Sequence, residues 1–196
     1  MRIDPDATVA EDAEIGEGTM VWGFAQVRDG ARLGKECIVG RGAFVDTGVV
    51  LGDRCKVQNN ALLYAPAILE DGVFIGPAVI LTNDLRPRSI SPDGQLKRGS
   101  DWAAAGVTIR HGAAIGAGAI VVAGVTVGRW AMAAAGATVA RDVPDHALVA
   151  GVPARQLGWV CACGGRLDVD PEDGRWTCRE DGTVHRLTDG TMAAEG

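Results

Sequence analysis

Leu33-Gly34-Lys35-Glu36-Cys37-Ile38-Val39-Gly40-Arg41-Gly42-Ala43-Phe44-Val45 decides the fold, because its aliphatics at 33, 39 and 45 stand six apart. The same beat runs outward both ways, through Val27, Val21, Ile15, Val9 and Ile3 on one side and Leu51, Val57, Leu63, Leu69, Ile75 and Leu81 on the other. A period of six fits neither a helix face nor a single strand, whose side chains repeat at about 3.6 and 2 residues. It predicts one inward aliphatic on each flat side of a coiled ribbon, each hexad being a short strand and a corner. Ala7, Ala13, Ala25, Ala31, Ala43 and Ala61 stand two positions before these aliphatics, as a narrow interior requires. Gly16, Gly34, Gly40, Gly52 and Gly76 follow aliphatics directly, where a missing Cβ eases a corner. The fold class is all-β, a parallel β-helix.

The beat breaks after Leu81 and returns in a second phase at Ile109, Ile115, Val121, Val127, Ala133 and Val139. Residues 82–106 then form an excursion loop from a rigid scaffold, the usual place for function. We divide the chain into a β-helix domain at 1–142, a post-helix segment at 143–159 and a small ribbon-like tail at 160–196. With 28 Gly, 47% hydrophobic and 5% aromatic residues, the composition suits small corners and a thin aliphatic core. A net charge of −6 gives no basic face for nucleic acid. The polar start MRIDPDATVA and the lack of a long apolar run predict no leader, no membrane span and a cytoplasmic protein. Cys37 and Cys55 fall inside the repeat and the other three cysteines cluster late, so reduced thiols are expected.

Val57-Gln58-Asn59-Asn60, Phe74-Ile75-Gly76-Pro77, Leu81-Thr82-Asn83 with Pro87-Arg88-Ser89, and Val143-Pro144 with Gly151-Val152-Pro153-Ala154 make the resemblance specific. From about residue 3 to 159 the chain resembles the hexapeptide-repeat acyltransferases. Within them it is similar to the nucleotide-sugar N-acetyltransferases that acetylate the 3-amino group of a UDP-linked 2-acetamido-3-amino uronic acid. The general rule for parallel crossovers gives a right-handed connection, whereas the resemblance implies a left-handed β-helix with three hexads per coil. It also implies acetyl-CoA as cosubstrate, a nucleotide-activated amino sugar as acceptor, and a homotrimer with active sites between subunits.

In that family the residue at the site of Asn83 holds the acceptor amine, which is thought to react without a strong protein base. The amide oxygen of Asn83 can accept a hydrogen bond from the amine and aim its lone pair. Asp84, Arg88, Gln58, Asn60, Gln26 and Arg28 are the candidate acceptor contacts, the arginines for a carboxylate or diphosphate. Where relatives read Trp-His-Phe with a second His two residues on, this chain has Trp22-Gly23-Phe24-Ala25-Gln26. The acceptor sugar is then open to difference, for example a 3-amino-deoxyhexose on a dTDP carrier. Positions eighteen apart stack on one side, making Ala105, Ala123 and Arg141 a track for coenzyme A. Pro153 and Arg155 look like the family's contact with the coenzyme's phosphates.

His111, His146 and His185 are read as structural or solvated, His146 in a polar turn and His185 in the tail. Their distribution does not suit the three-histidine metal site of a γ-type carbonic anhydrase, which shares the prism. A non-catalytic β-helix scaffold is the alternative from another class. An acyltransferase acting on a different small amine or hydroxyl is another. In the tail, Cys161-Ala-Cys163-Gly-Gly and Cys178-Arg-Glu-Asp181-Gly resemble a two-hairpin zinc ribbon with one thiolate missing. Asp181 or His185 would complete a tetrahedral structural zinc site with Cys161, Cys163 and Cys178.

Overall fold

The computed structural model describes residues 1–195. Two-residue strands recur every six residues from Arg2–Ile3 to Ile80–Leu81, and again from Thr108–Ile109 to Thr138–Val139. They stack into three parallel sheets, one per side of a triangular prism. We call the side containing Ile38–Val39 the first face, that containing Phe44–Val45 the second, and that containing Val50–Leu51 the third. Partners are eighteen residues apart below the excursion (Lys56 against Ile38) and forty apart across it (Ala114 against Phe74), so the excursion inserts 22 residues into one coil.

The hexad aliphatics point inward as the beat predicts, and from Val21 to Val139 they are buried. Ile3 departs from that expectation at 40% exposed, because the first coil has no coil beneath it. The second inward position is small in many hexads, where Ala25, Ala31, Cys37, Ala43 and Cys55 are buried, and is valine in others, as at Val49, Val73 and Val79. Thr19 is the polar exception, and its hydroxyl donates to Gly34 O at 2.8 Å and accepts from Cys37 N at 2.9 Å. The Cys37 and Cys55 thiols donate to the carbonyls of Gly52 and Glu70, and the side-chain interaction with Cys37, together with burial, pushes the Cys55 thiol up. The corner glycines answer to the neighbouring coil. A Cβ on Gly16 would lie 2.3 Å from Gly34 O, and one on Gly76 would lie 2.7 Å from Ala117 N.

The prism does not stop at residue 142. Ala147–Gly151 adds an eighth level to the first face, with Leu148 against Met132, and then turns back antiparallel as Ala154–Trp159. In the tail, a third turn makes a four-stranded antiparallel meander, not two hairpins alone: Leu167–Val169, Arg175–Cys178, Val184–Thr188 and Thr191–Ala194. Leu167, Cys178 and Met192 join Trp159 and Cys161 in the same apolar cluster as the prism. Among the described residues no helix is long and apolar enough to cross a membrane.

Candidate active site

The corner between the second and third faces brings together Asn83, Asp84, Ala105 and Ala123, with Arg28 below them and Arg141 above. The chain leaves the prism at Asn83 and returns at Ala105, and Ala105 N donates to Asn83 O at 2.9 Å, which closes the base of the loop. One coil below, the carbonyl of Ala65 accepts from Asn83 Nδ2 at 2.7 Å. That bond fixes the amide and leaves Oδ1 without a hydrogen bond among the described residues. Above, Gly124 N donates to Ala105 O, and Ala123 N donates to the Thr82 hydroxyl at 2.9 Å. Asn83, Ala105 and Ala123 therefore climb one edge, and Arg141 follows one coil higher through the pairing of Val139 with Val121.

Arg28 stands at the foot of the same corner with its charge engaged, 4.0 Å from Asp46 and 3.5 Å from Asp29. Asp84 Oδ1 accepts from Arg86 N at 2.7 Å, an Asx turn at the start of the loop. Arg88 is exposed and bonds the carbonyl of Pro87. Farther out, the excursion makes its own small hairpin, with Ile90 bridged to Leu96.

Gln58 and Asn60 lie on a different corner, between the first and second faces, and within one chain they do not meet Asn83. Asn60 occupies a left-handed corner position at φ 58°. Gln58 lines an open cavity of about 420 Å³ with Trp22, Phe24 and Arg41. There the Arg2 and Arg41 guanidiniums lie over the Trp22 and Phe24 rings at 4.9 and 4.8 Å. Gln26 stands exposed on the second face, paired in register with Phe44.

At the far end of the prism, Arg141 and Arg155 line one cavity of about 180 Å³ with Ala140, Asp142, Ala154 and Gln156. Pro153 follows a cis peptide bond at the tip of the closing hairpin and is exposed. Sequence reasoning reached Arg141 and Arg155 separately; that they share a cavity follows from the hairpin folding back on the last coil. It missed Thr82, whose hydroxyl donates to Val121 O and accepts from Ala123 N.

The histidines stand elsewhere. His111 packs edge-on to Trp130 at 5.0 Å, and its backbone N–H is held by Glu70 at 2.8 Å. His146 is not a solvated turn residue: it is 8% exposed, and its Nδ1 lies 2.9 Å from Val160 O. His185 is 1% exposed and packs edge-on to His146 at 5.4 Å, and it is not part of the cysteine cluster. Burial holds the His185 imidazole below its ordinary range. Asp181, not His185, stands with the thiols of Cys161, Cys163 and Cys178, the four ligand atoms all within 4.8 Å of one another. The backbone N–H of Thr183 holds the Asp181 carboxyl well below the usual carboxylate range.

Prism, excursion loop and small-residue edge together define a β-helix of hexapeptide repeats, left-handed in that class. Residues 12–47 match the family model of the bacterial transferase hexapeptide (six repeats), and residues 102–141 match that of the hexapeptide repeat of succinyl-transferase. The structure is similar to a hexapeptide-repeat-containing acetyltransferase of Vibrio cholerae, solved with acetyl coenzyme A, at 27% identity and a TM-score of 0.54. That match covers 66% of this chain and 70% of the other. It also matches the acetyltransferase domain of PglB from Neisseria gonorrhoeae at 28% identity and a TM-score of 0.46, covering 79% of this chain. PerB from Caulobacter crescentus, solved with CoA and GDP-perosamine, matches at 29% identity and a TM-score of 0.46, covering 80% of this chain. The chain spans 56% of the length of each of these two proteins. None of the curated proteins matches the sequence.

Proposed function

We propose that the protein transfers the acetyl group of acetyl-CoA to the 3-amino group of a nucleotide-linked amino sugar. The observation that carries this reading is Asn83. Its amide is oriented by Ala65, its oxygen is open, and it begins an edge of small residues that leads to the cavity of Arg141 and Arg155. The transferase repeats at 12–47 and 102–141 and the acetyl-CoA complex of the Vibrio cholerae neighbour support acyl transfer from coenzyme A. The nucleotide-sugar acceptor rests on the segments around Gln58, Asn83 and Pro153 that resemble that subfamily.

The neutral amine attacks the thioester carbonyl, the nitrogen–carbon bond forms, and the carbon–sulfur bond breaks as the nitrogen loses a proton and the thiol leaves. Asn83 Oδ1 accepts an N–H of the amine, which aims the lone pair at the carbonyl carbon. Pantetheine lies along Ala105 and Ala123, where the lack of long side chains exposes backbone. The phosphates meet Arg141 and Arg155, with Pro153 at the tip of the hairpin beside them.

Gln58 and Asn60 stand on another corner, so they reach the amine only from a second copy. In a cyclic homotrimer one subunit brings Asn83 and Asp84 and its neighbour brings Gln58 and Asn60. Arg88 and Gln26 extend the acceptor surface, while Arg28 keeps Asp46 in place at its foot. The acceptor belongs to polysaccharide or glycoconjugate assembly, in the cytoplasm where acetyl-CoA is made.

Free thiol release from acetyl-CoA, followed with a panel of UDP- and dTDP-linked 3-amino and 4-amino sugars, tests the reading. Turnover with a 3-amino sugar supports it, and turnover with only a 4-amino sugar moves the amine. No thiol release with any sugar, together with no acetyl-CoA binding, would leave the non-catalytic scaffold.

A further inference from the structure

We propose that the tail binds one zinc ion through the thiolates of Cys161, Cys163 and Cys178 and a carboxylate oxygen of Asp181. This is independent of acyl transfer and rests on four groups brought together from two separated loops. With zinc–sulfur bonds of about 2.3 Å and zinc–oxygen bonds of about 2.0–2.2 Å, a tetrahedral site has ligand–ligand edges of about 3.5–3.8 Å. Cys163 Sγ and Cys178 Sγ lie 3.4 Å apart, and Cys161 Sγ lies 3.7 Å from Asp181 Oδ2. All four ligand atoms fall within 4.8 Å of one another.

The two loops are built alike. In the first, Cys161 N donates to Gly165 O and Gly164 N donates to Cys161 O; in the second, Cys178 N donates to Thr183 O and Gly182 N donates to Cys178 O. Each loop also turns a backbone N–H onto sulfur, Gly165 N onto Cys163 and Glu180 N onto Cys178, both at 3.4 Å. Gly165 lets the loops close: a Cβ there would lie 2.8 Å from Cys178 Sγ and 2.7 Å from Glu180 Cγ.

Size gives an independent reason. The meander's own buried apolar side chains are few, chiefly Leu167, Cys178 and Met192. A unit of under about 40 residues ordinarily needs a metal, a disulfide or a partner to hold. The prism supplies part of that support through Trp159 and the His146–His185 contact. The donor set selects the metal: three thiolates suit a borderline-soft divalent ion and exclude magnesium or calcium, and the lone carboxylate suits zinc better than an iron site of four thiolates.

The test uses the full chain purified without chelator. Metal analysis should give about one zinc per chain, and cobalt(II) should replace it with the visible bands of a tetrahedral thiolate site. Asp181→Ala should weaken binding at least about tenfold in competition with a chromophoric chelator. Asp181→Cys should retain one zinc, so loss of metal through misfolding is told apart from loss of a ligand. A chain that holds no zinc and gives no cobalt spectrum overturns the proposal. So does one whose denatured form shows two thiols too few, because Cys163 and Cys178 would then be joined as a disulfide.

Discussion

Asn83 Nδ2 donates to the carbonyl oxygen of Ala65 at 2.7 Å, across eighteen residues and one coil of the prism. A rigid coil thus decides which way a loop residue faces, and the amide oxygen is presented at the corner where the excursion departs. Asn83→Asp tests this orientation, because a carboxylate cannot donate to Ala65 O and is repelled by it. We expect kcat to fall by about 100-fold, in the range of lost positioned polar groups, with the acetyl-CoA dissociation constant unchanged by calorimetry. Equal loss of coenzyme binding would instead make Asn83 a structural corner residue.

Arg141 and Arg155 share a cavity although they come from the last coil and the closing hairpin. Each Ala substitution should raise the KM for acetyl-CoA by about tenfold, at the low end for a charge-assisted bond because both side chains are exposed. The wild-type KM should also rise with salt, and that dependence should flatten in the double variant. Steady-state kinetics at several salt concentrations reads both.

The corner glycines divide into two kinds that thermal unfolding can separate. At Gly76 a Cβ meets Ala117 N at 2.7 Å, so Gly76→Ala should destabilise the chain by about 3 kcal/mol through overpacking. Gly48 has φ 69° and open space around its Cβ position, so Gly48→Ala should cost only about 1 kcal/mol of backbone strain. Equal costs would mean that stacking between coils is looser than the 2.7 Å approach requires.

His185 gives the tail seam a pH dependence. Burial disfavours its charged form, with His146 5.4 Å away acting in the same direction and Asp181 and the Thr183 backbone opposing. The folded chain therefore binds fewer protons than the unfolded one below the ordinary histidine pKa of about 6.5. Its contribution is present above that pH and is lost as pH falls. From pH 7.5 to 5.5 the melting temperature should drop more in the wild type than in His185→Leu, compared at equal metal content. Parallel curves would remove His185 from the acid response.

The prism was legible because each hexad states its own geometry locally: Leu33, Val39 and Val45 need no distant partner to be read as inward. The break after Leu81 was legible for the same reason, as a lost phase, and Gly76 was legible as a corner glycine, whereas its close approach to the next coil at Ala117 was not. Separation of Gln58 and Asn60 from Asn83 was also written in the chain, since positions on one corner recur at eighteen. The His146–His185 contact and the shared cavity of Arg141 and Arg155 were not legible, because they arise where the chain folds back without a period.

The account depends most on acyl transfer at Asn83. The direct measurement is the rate of thiol release from acetyl-CoA with a nucleotide-linked 3-amino sugar, for the wild type and Asn83→Ala side by side at matched coenzyme binding. The account predicts turnover in the wild type and a loss of about 100-fold or more in the variant. Equal turnover in the two proteins would contradict it.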